Sequence, residues 1–256
     1  MPEDRSITLE VEVVGTPEEV WRAIATGAGI SSWYVPHTVE EHEGGAMTAS
    51  FGPGPEMQVA GRVAVWDPPS RVVFDGGEGV EGMAFEWTIE GQGGGTSVVR
   101  LVNTGFGTGA EWDAQYEGMA DGWRLFLFNL GQHLEHFGGD TAVAMLSSAS
   151  WQTSRDEAWV ALTEALGIPV ASSVGDRIQV DVAGAPPLAG IVVDARPWRL
   201  ALLLVEPAAG TAFLAVEGRG DQVEVSIWSY LYGAAGAVAA ERDDPLWRKW
   251  LADQAP

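Results

Sequence analysis

The chain has 256 residues, 46% of them hydrophobic and 20% charged, a composition that excludes intrinsic disorder and allows two domains. Its formal net charge is −22, with Lys249 as the single lysine, so nucleic acid and anionic membrane surfaces are poor partners. Cysteine is absent, which excludes disulfides, thiolate zinc sites and cysteine nucleophiles. The start of the sequence has no signal-peptide pattern, and no apolar run has the length of a membrane helix. We therefore expect a cytoplasmic protein.

The sequence contains a degenerate internal repeat. Thr16–Ile24 aligns with Ser154–Leu162 at an offset of 138 residues, and two later blocks align at offsets of 128 and 126. A shrinking offset is expected when the second copy has shorter loops. The repeat predicts one domain over residues 1–139 and a second over residues 140–256.

The first copy begins with a predicted strand and a short helix. Apolar residues alternate with polar ones over Ile7–Val13, the period of a half-buried strand. Thr16 follows, with Glu19 three residues later, which is the pattern of an N-terminal capping box. A helix is predicted from there, and Gly27 and Gly29 are predicted to end it.

Several antiparallel strands are predicted next, separated by turn signals such as Asp67–Ser70. Phe85 and Trp87 lie on one face of a predicted strand, although the sequence does not show whether that face is concave. Gly91–Gly95 lies between two predicted strands. A dinucleotide-binding loop would open a helix, so this segment is predicted to be a hairpin turn.

Each copy is predicted to close with a helix. Apolar residues recur at steps of three and four from Tyr116 to Phe137, and Gly138 is predicted to end this long helix. The last helix of the second copy, over residues 234–252, is predicted to be broken at Pro245. A curved antiparallel sheet wrapped round a long C-terminal helix satisfies the pattern. The predicted fold class is therefore α+β, with this arrangement present twice.

The first copy also resembles a known family. The segments that carry the resemblance are Thr16–Ile24, Trp33-Tyr34, Val65–Phe74, Phe85–Glu90, Gly93–Thr96, Asn103–Phe106 and Gly122-Trp123. In this order they resemble the bacterial homologues of the activator of the heat-shock-protein-90 ATPase, which belong to the START and birch-pollen-allergen superfamily of helix-grip folds (SRPBCC). The resemblance covers residues 5–138 directly and residues 141–256 only through the internal repeat. It implies a helix-grip domain with an apolar cavity between the sheet and the long helix.

Residue patterns for catalysis are weak. His37 and His42 lie in an acidic loop, and His133 and His136 stand three apart on the long helix. Both pairs are interpreted as solvated rather than as metal ligands, because no further ligand pattern accompanies them. The sequence has neither a Gly-x-Ser-x-Gly elbow nor a P-loop. We therefore predict no catalytic residue, no metal and no cofactor.

The aromatic residues are more informative, because 12 tryptophans exceed what a core of this size needs. They either fill the core or line a cavity for an apolar or aromatic ligand. The predicted ligand-binding residues are Trp33, Tyr34, Phe51, Met57, Phe85, Trp87, Tyr116, Trp123 and Phe126. The second copy is about ten residues shorter where the first copy has residues 33–62, so its cavity is expected to be smaller or closed.

Three functions are compatible with these observations. The favoured hypothesis is a non-catalytic SRPBCC-type protein that binds a small hydrophobic or aromatic molecule. An alternative is an enzyme similar to polyketide cyclases and aromatases, which would need a hydrogen-bond donor near the cavity. Candidate donors are Arg100, Arg124, Tyr34 and Tyr116. A further alternative is a co-chaperone-like activator of a chaperone ATPase, which the charge of −22 disfavours. A protein partner and the oligomeric state stay open.

Overall fold

A computed structural model describes residues 5–76, 82–107 and 109–256. The chain divides into two compact units, Met1–Thr141 and Ala142–Pro256. The sequence-based boundary, between residues 139 and 140, lies two residues before this division. Among the described residues, no helix is both long enough and apolar enough to cross a bilayer.

The described part of the first unit contains one antiparallel sheet and three α-helices. Its strands are β1 (Arg5–Val14), β2 (His37–Val39), β3 (Ala46–Ser50), β4 (Gln58–Asp67), β5 (Arg71–Asp75), β6 (Ala84–Gly93) and β7 (Thr96–Phe106). Its helices are α1 (Pro17–Ala25), α2 (Gly27–Ser31) and α3 (Ala110–Phe137), and a 3₁₀ turn spans Pro55–Met57. The strand order is β1-β7-β6-β5-β4-β3-β2, so the first strand pairs with the last and the others form a meander.

The second unit repeats this topology with fewer elements. Its strands are β8 (Ala142–Trp151), β9 (Arg177–Val180), β10 (Leu188–Arg196), β11 (Arg199–Glu206), β12 (Gly210–Arg219) and β13 (Gln222–Tyr232). Its helices are α4 (Arg155–Leu166) and α5 (Gly233–Asp253). The strand order β8-β13-β12-β11-β10-β9 again pairs the first strand with the last. The predicted α+β helix-grip architecture, present twice, is therefore confirmed.

The short helix of each unit begins with the predicted capping box. The Thr16 hydroxyl accepts a hydrogen bond from the Glu19 N–H at 3.3 Å, and the Glu19 carboxylate accepts one from the Thr16 N–H at 2.8 Å. Ser154 and Glu157 form the same reciprocal pair at the start of α4. The backbone hydrogen bond from Thr16 holds the pKa of Glu19 below its ordinary value. Each box satisfies backbone donors that a helix start leaves unpaired.

Replacing Thr16 with alanine is therefore expected to lower the free energy of unfolding by about 1 kcal/mol, because the side-chain acceptor for the Glu19 N–H is lost. Thr16→Ser, which keeps the hydroxyl, is the matched control. Equilibrium urea unfolding of the three proteins measures the difference. Equal stability of the alanine and serine variants would contradict this role of the hydroxyl.

The prediction that Gly27 and Gly29 end the short helix is wrong. Helix α1 ends before Thr26, whose extended backbone breaks the helix and whose hydroxyl caps α2 through the Gly29 N–H at 3.1 Å. Both glycines lie inside α2. A Cβ atom on Gly29 would lie 1.9 Å from the Arg22 carbonyl oxygen, and one on Gly27 would lie 2.9 Å from the His37 carbonyl oxygen. The glycines therefore let α2 pack closely against α1 and β2.

Helix α3 ends at Phe137 with Gly138 as its C-cap, as predicted. The β6–β7 connection is the predicted glycine hairpin, with Gly93, Gly94 and Gly95 at positive φ. The predicted break at Pro245 is wrong, because α5 continues through it. Buried residues on both sides of the proline, such as Ala240 and Trp247, belong to the second unit's core, so tertiary packing outweighs the hydrogen bond that proline removes.

Candidate functional site

A cavity of about 200 Å³ lies inside the first unit, lined by residues from the sheet and from α1, α2 and α3. Six of the nine predicted ligand-binding residues line it: Trp33, Tyr34, Phe51, Phe85, Trp87 and Trp123. The face shared by Phe85 and Trp87 is therefore the cavity face of the sheet. Aliphatic side chains such as Ile24, Met47 and Val59 complete much of the wall.

The structure places the other three predicted residues outside the cavity lining. Met57 is exposed, at 42%, in the 3₁₀ turn. The Tyr116 hydroxyl donates a hydrogen bond to the Ser6 carbonyl at 3.0 Å, which holds this ring against β1. Phe126 is buried behind the wall, where its ring packs edge-on against Tyr34 with centroids 4.4 Å apart. Phe126 therefore supports the cavity without lining it.

Tyr34 stands at the centre of the aromatic wall. Its ring centroid lies 5.0 Å from that of Trp123, 5.4 Å from that of His37 and 6.1 Å from that of Phe51. Edge-to-face and tilted pairs of this kind stabilise an aromatic cluster beyond its buried area. The rings are therefore held in place and present their faces and edges to the cavity.

Trp33 fixes the position of this cluster. Its indole N–H donates to the Ala23 carbonyl at 2.9 Å, and its own carbonyl accepts from the Asn129 side chain at 2.8 Å. These bonds tie the segment between α2 and β2 to both α1 and α3. The wall at Trp33 and Tyr34 is thus preorganised by buried hydrogen bonds as well as by ring contacts.

The interpretation of His37 as a solvated loop residue is wrong. His37 begins β2, and its ring lines the cavity, while His42 is exposed in the loop as expected. The backbone N–H of His37 donates a hydrogen bond to the Ser31 hydroxyl at 2.8 Å, which fixes β2 against α2. The strand that begins at His37 has only three residues, so no alternation of apolar and polar residues marks it in the sequence.

The protonation of His37 follows from its contacts. Its Nδ1 lies 2.7 Å from the Val35 carbonyl oxygen, and a carbonyl oxygen only accepts, so Nδ1 carries the proton of the neutral ring. Nε2 is then left with a free lone pair. His37 is half-buried, in the wall of the cavity. Its removal from bulk water disfavours the charged ring and lowers the pKa of His37 to about 4. His37 is therefore neutral near pH 7.

Acid is expected to destabilise the first unit through His37. The unfolded histidine has a pKa of about 6.5 and the folded one about 4, so the unfolded state binds more protons between these values. Stability therefore falls as the pH falls through this window, by up to about 1.4 kcal/mol per pH unit. Urea unfolding of the wild type and of His37→Phe should show the wild type losing about 2 kcal/mol more between about pH 7 and 4.5. Parallel pH profiles would contradict this.

Two further polar side chains line the cavity without a hydrogen bond inside the described part of the chain. Burial raises the pKa of Tyr34, so its hydroxyl stays protonated, and no described residue hydrogen-bonds to it. Trp123 is 4% exposed, and its indole Nε1 has no partner among the described residues. Buried donors without partners are rare in folded proteins.

Asp75 is the one carboxylate among the described residues of the cavity lining, and it is neutralised. The Arg62 guanidinium donates to both of its oxygens, at 2.7 Å from Nε and 3.2 Å from Nη2. The side chain of Asp75 is thereby engaged in a bidentate pair. The cavity therefore presents no unpaired charge from its described lining residues.

The described ranges contain no cluster of three or more His, Cys, Asp or Glu side chains that could hold a metal ion.

The expectation that His133 is solvated is wrong, because His133 is only 3% exposed, whereas His136 is exposed as expected. His133 falls between Leu130 and Leu134 on the buried stripe of α3. Burial lowers the pKa of His133 to about 4, so this ring is also neutral near pH 7.

The second unit differs at the positions that form the cavity in the first. Its described elements include no counterpart of α2 or β2; in the first unit Tyr34 lies between these two elements and His37 begins β2. The strand registers align the Leu214–Ile227 pair of the second unit with the Trp87–Leu101 pair of the first. A leucine therefore occupies the position that Trp87 has in the first unit. The large side chains Trp151 and Trp247 are fully buried in the second unit's core. The aromatic wall of the first unit is therefore not repeated.

Comparison with known proteins finds a family match within the first unit. Residues 15–135, most of that unit and somewhat less than half of the chain, match the family described as activator of Hsp90 ATPase homolog 1-like protein. No curated protein sequence matches the chain.

Solved structures that are similar to this chain cover either about half of it or nearly all of it. The Aha1 dimer from Colwellia psychrerythraea is 18% identical over 53% of this chain and 99% of its own, with a TM-score of 0.44. A protein from the dynemicin biosynthetic locus is 19% identical over 99% and 97%, with a TM-score of 0.45. The di-domain ARO/CYC protein BexL from the BE-7585A pathway is 15% identical over 98% and 93%, with a TM-score of 0.47. Most of the first unit is thus similar to the family described as activator of Hsp90 ATPase homolog 1-like protein.

Proposed function

We propose that the first unit binds a small neutral aromatic molecule in its cavity and catalyses no reaction on it. The observation that carries this proposal is the cavity of about 200 Å³ lined by Trp33, Tyr34, Trp87 and Trp123. Aromatic walls favour flat aromatic ligands, because offset and edge-to-face ring contacts add to the burial of apolar area.

The volume limits the size of the ligand. An apolar cavity of about 150 Å³ holds benzene, whereas sites for drug-sized ligands measure about 300–1,000 Å³. A space of about 200 Å³ therefore suits a molecule of one or two fused rings. A long polyketide chain, the substrate of a cyclase or aromatase, would have to extend out of this space into the neighbouring groove of about 530 Å³, which shares Asp75, Gly76 and Met83 with it.

The candidate donors for such an enzyme also lie away from the cavity, with one exception. Arg100 faces Glu10 across β1 and β7, Arg124 pairs with Asp121 on the exposed face of α3, and neither arginine is a lining residue. Tyr116 is engaged by the Ser6 carbonyl. Tyr34 alone lines the cavity, and its raised pKa makes it a weak acid. This distribution favours binding over catalysis.

The electrostatics favour a neutral ligand. Near pH 7 His37 is uncharged and the Tyr34 hydroxyl is protonated, for the reasons given above. Asp75 is paired with Arg62. A charged ligand would lose its hydration without gaining an unpaired counter-charge, which is strongly unfavourable.

Filling the cavity tests this proposal. Ala49 lies on β3, is 6% exposed and lines the cavity, while Ala46 is exposed on the other face of the same strand. Naphthalene is expected to bind the wild type with a Kd on the order of 10 μM and to quench tryptophan fluorescence. Ala49→Phe should weaken binding at least ~100-fold, and Ala46→Phe should leave it unchanged.

Circular dichroism of both variants is the control that they are folded. Absence of naphthalene binding to the wild type would overturn the proposal. Unchanged binding to a folded Ala49→Phe variant would also overturn it, because the ligand would then occupy another place.

A further inference from the structure

Three polar side chains of the cavity lining are grouped around Tyr34. The Tyr34 ring centroid lies 5.4 Å from that of His37 and 5.0 Å from that of Trp123, and all three residues line the space. Other lining residues, such as Ile24, Ile30 and Phe85, have no polar side-chain atom.

The three groups offer a defined set of hydrogen-bonding positions. His37 Nε2 accepts only, because the proton of the neutral ring is on Nδ1, where it is donated to the Val35 carbonyl. Trp123 Nε1 donates only, and it lacks a partner among the described residues. The Tyr34 hydroxyl can donate or accept. These three lining residues thus offer one acceptor, one donor and one group that can be either.

A neutral hydroxyl on an aromatic ring matches this set. Its O–H can donate to His37 Nε2, and its oxygen can accept from the Tyr34 hydroxyl or the Trp123 indole. A carbonyl or ether oxygen accepts only, so it cannot donate to His37 Nε2. Leaving a buried polar atom unpaired costs about 1–3 kcal/mol, so the match discriminates between such ligands.

We infer that the ligand is a phenol of one or two fused rings whose hydroxyl donates a hydrogen bond to His37 Nε2, an inference that rests on the proposed function. His37 is then the residue that determines specificity. The aromatic rings of Trp33 and Trp87 supply affinity for the flat ring system without distinguishing its substituents.

Three probes of nearly equal shape test the inference: naphthalene, 2-methoxynaphthalene and 2-naphthol. The wild type should bind 2-naphthol about tenfold more tightly than 2-methoxynaphthalene, because the ether has no proton to donate. His37→Phe keeps an aromatic ring but removes the acceptor. This variant should bind the two substituted probes with equal affinity, and its affinity for naphthalene serves as the reference for both.

The outcomes separate the inference from the proposed function. If the wild type binds naphthalene but prefers 2-naphthol no more than its methyl ether, the inference is wrong and the proposed function stands. If a naphthalene-binding His37→Phe variant keeps the preference, His37 is not the acceptor and the inference is equally overturned. If no probe binds the wild type, the proposed function itself fails. The wild-type comparison is decisive even if the variant does not fold.

Discussion

Replacing Trp33 with alanine is expected to lower the free energy of unfolding by about 4 kcal/mol, the range found for removing a fully buried aromatic side chain. Trp33 is 1% exposed, and its ring packs edge-on against Trp87 with centroids 5.8 Å apart. The substitution also removes the donor to the Ala23 carbonyl. The loss therefore combines a cavity with an unpaired buried acceptor.

Trp33→Phe is the matched variant for the hydrogen bond. It keeps much of the apolar volume and removes the indole N–H, so a loss of about 1–2 kcal/mol is expected. Urea unfolding followed by circular dichroism measures both changes. An alanine variant less than about 1 kcal/mol below the wild type would show that the segment between α2 and β2 does not hold the first unit together.

The second large effect is expected in the second unit. Trp247→Ala should cost about 3–5 kcal/mol, because Trp247 is fully buried and meets the Trp250 ring edge-on at 5.6 Å. Leu246, the preceding residue, is 47% exposed, so Leu246→Ala is a control expected to change stability by no more than about 0.5 kcal/mol.

Urea unfolding of these two variants tests how the second unit is held together. Equal effects at positions 246 and 247 would contradict the assignment of Trp247 to its core. The same measurement bears on helix α5, since Trp247 follows Pro245 and its burial is the reason given above for the helix continuing through the proline.

Local signals in the sequence predicted much of the fold. The capping residues Thr16 and Ser154, the alternation in β1 and the apolar stripe of α3 each depend on neighbours within a few residues. The errors at Gly27 and Pro245 have a different origin. There the outcome depends on close contacts with residues distant in sequence or on packing against a sheet, which no local pattern records.

The residues of the candidate site were also predictable only as far as local sequence patterns reach. Composition and resemblance indicated aromatic residues between the sheet and α3, and Trp123 indeed lines the cavity there. The helix period could not separate Trp123 from Phe126, which lies one turn away and supports the wall from behind. His37 was missed because β2 is a strand of three residues, too short to show a period.

The cavity of the first unit is the proposed binding site for an aromatic ligand. A crystal structure of the full chain with 2-naphthol would locate the ligand. We expect density for the fused rings between Tyr34 and Trp87, with the hydroxyl oxygen within about 3 Å of His37 Nε2. An empty cavity in crystals grown at saturating 2-naphthol, or the probe seated only in the second unit, would contradict the claim.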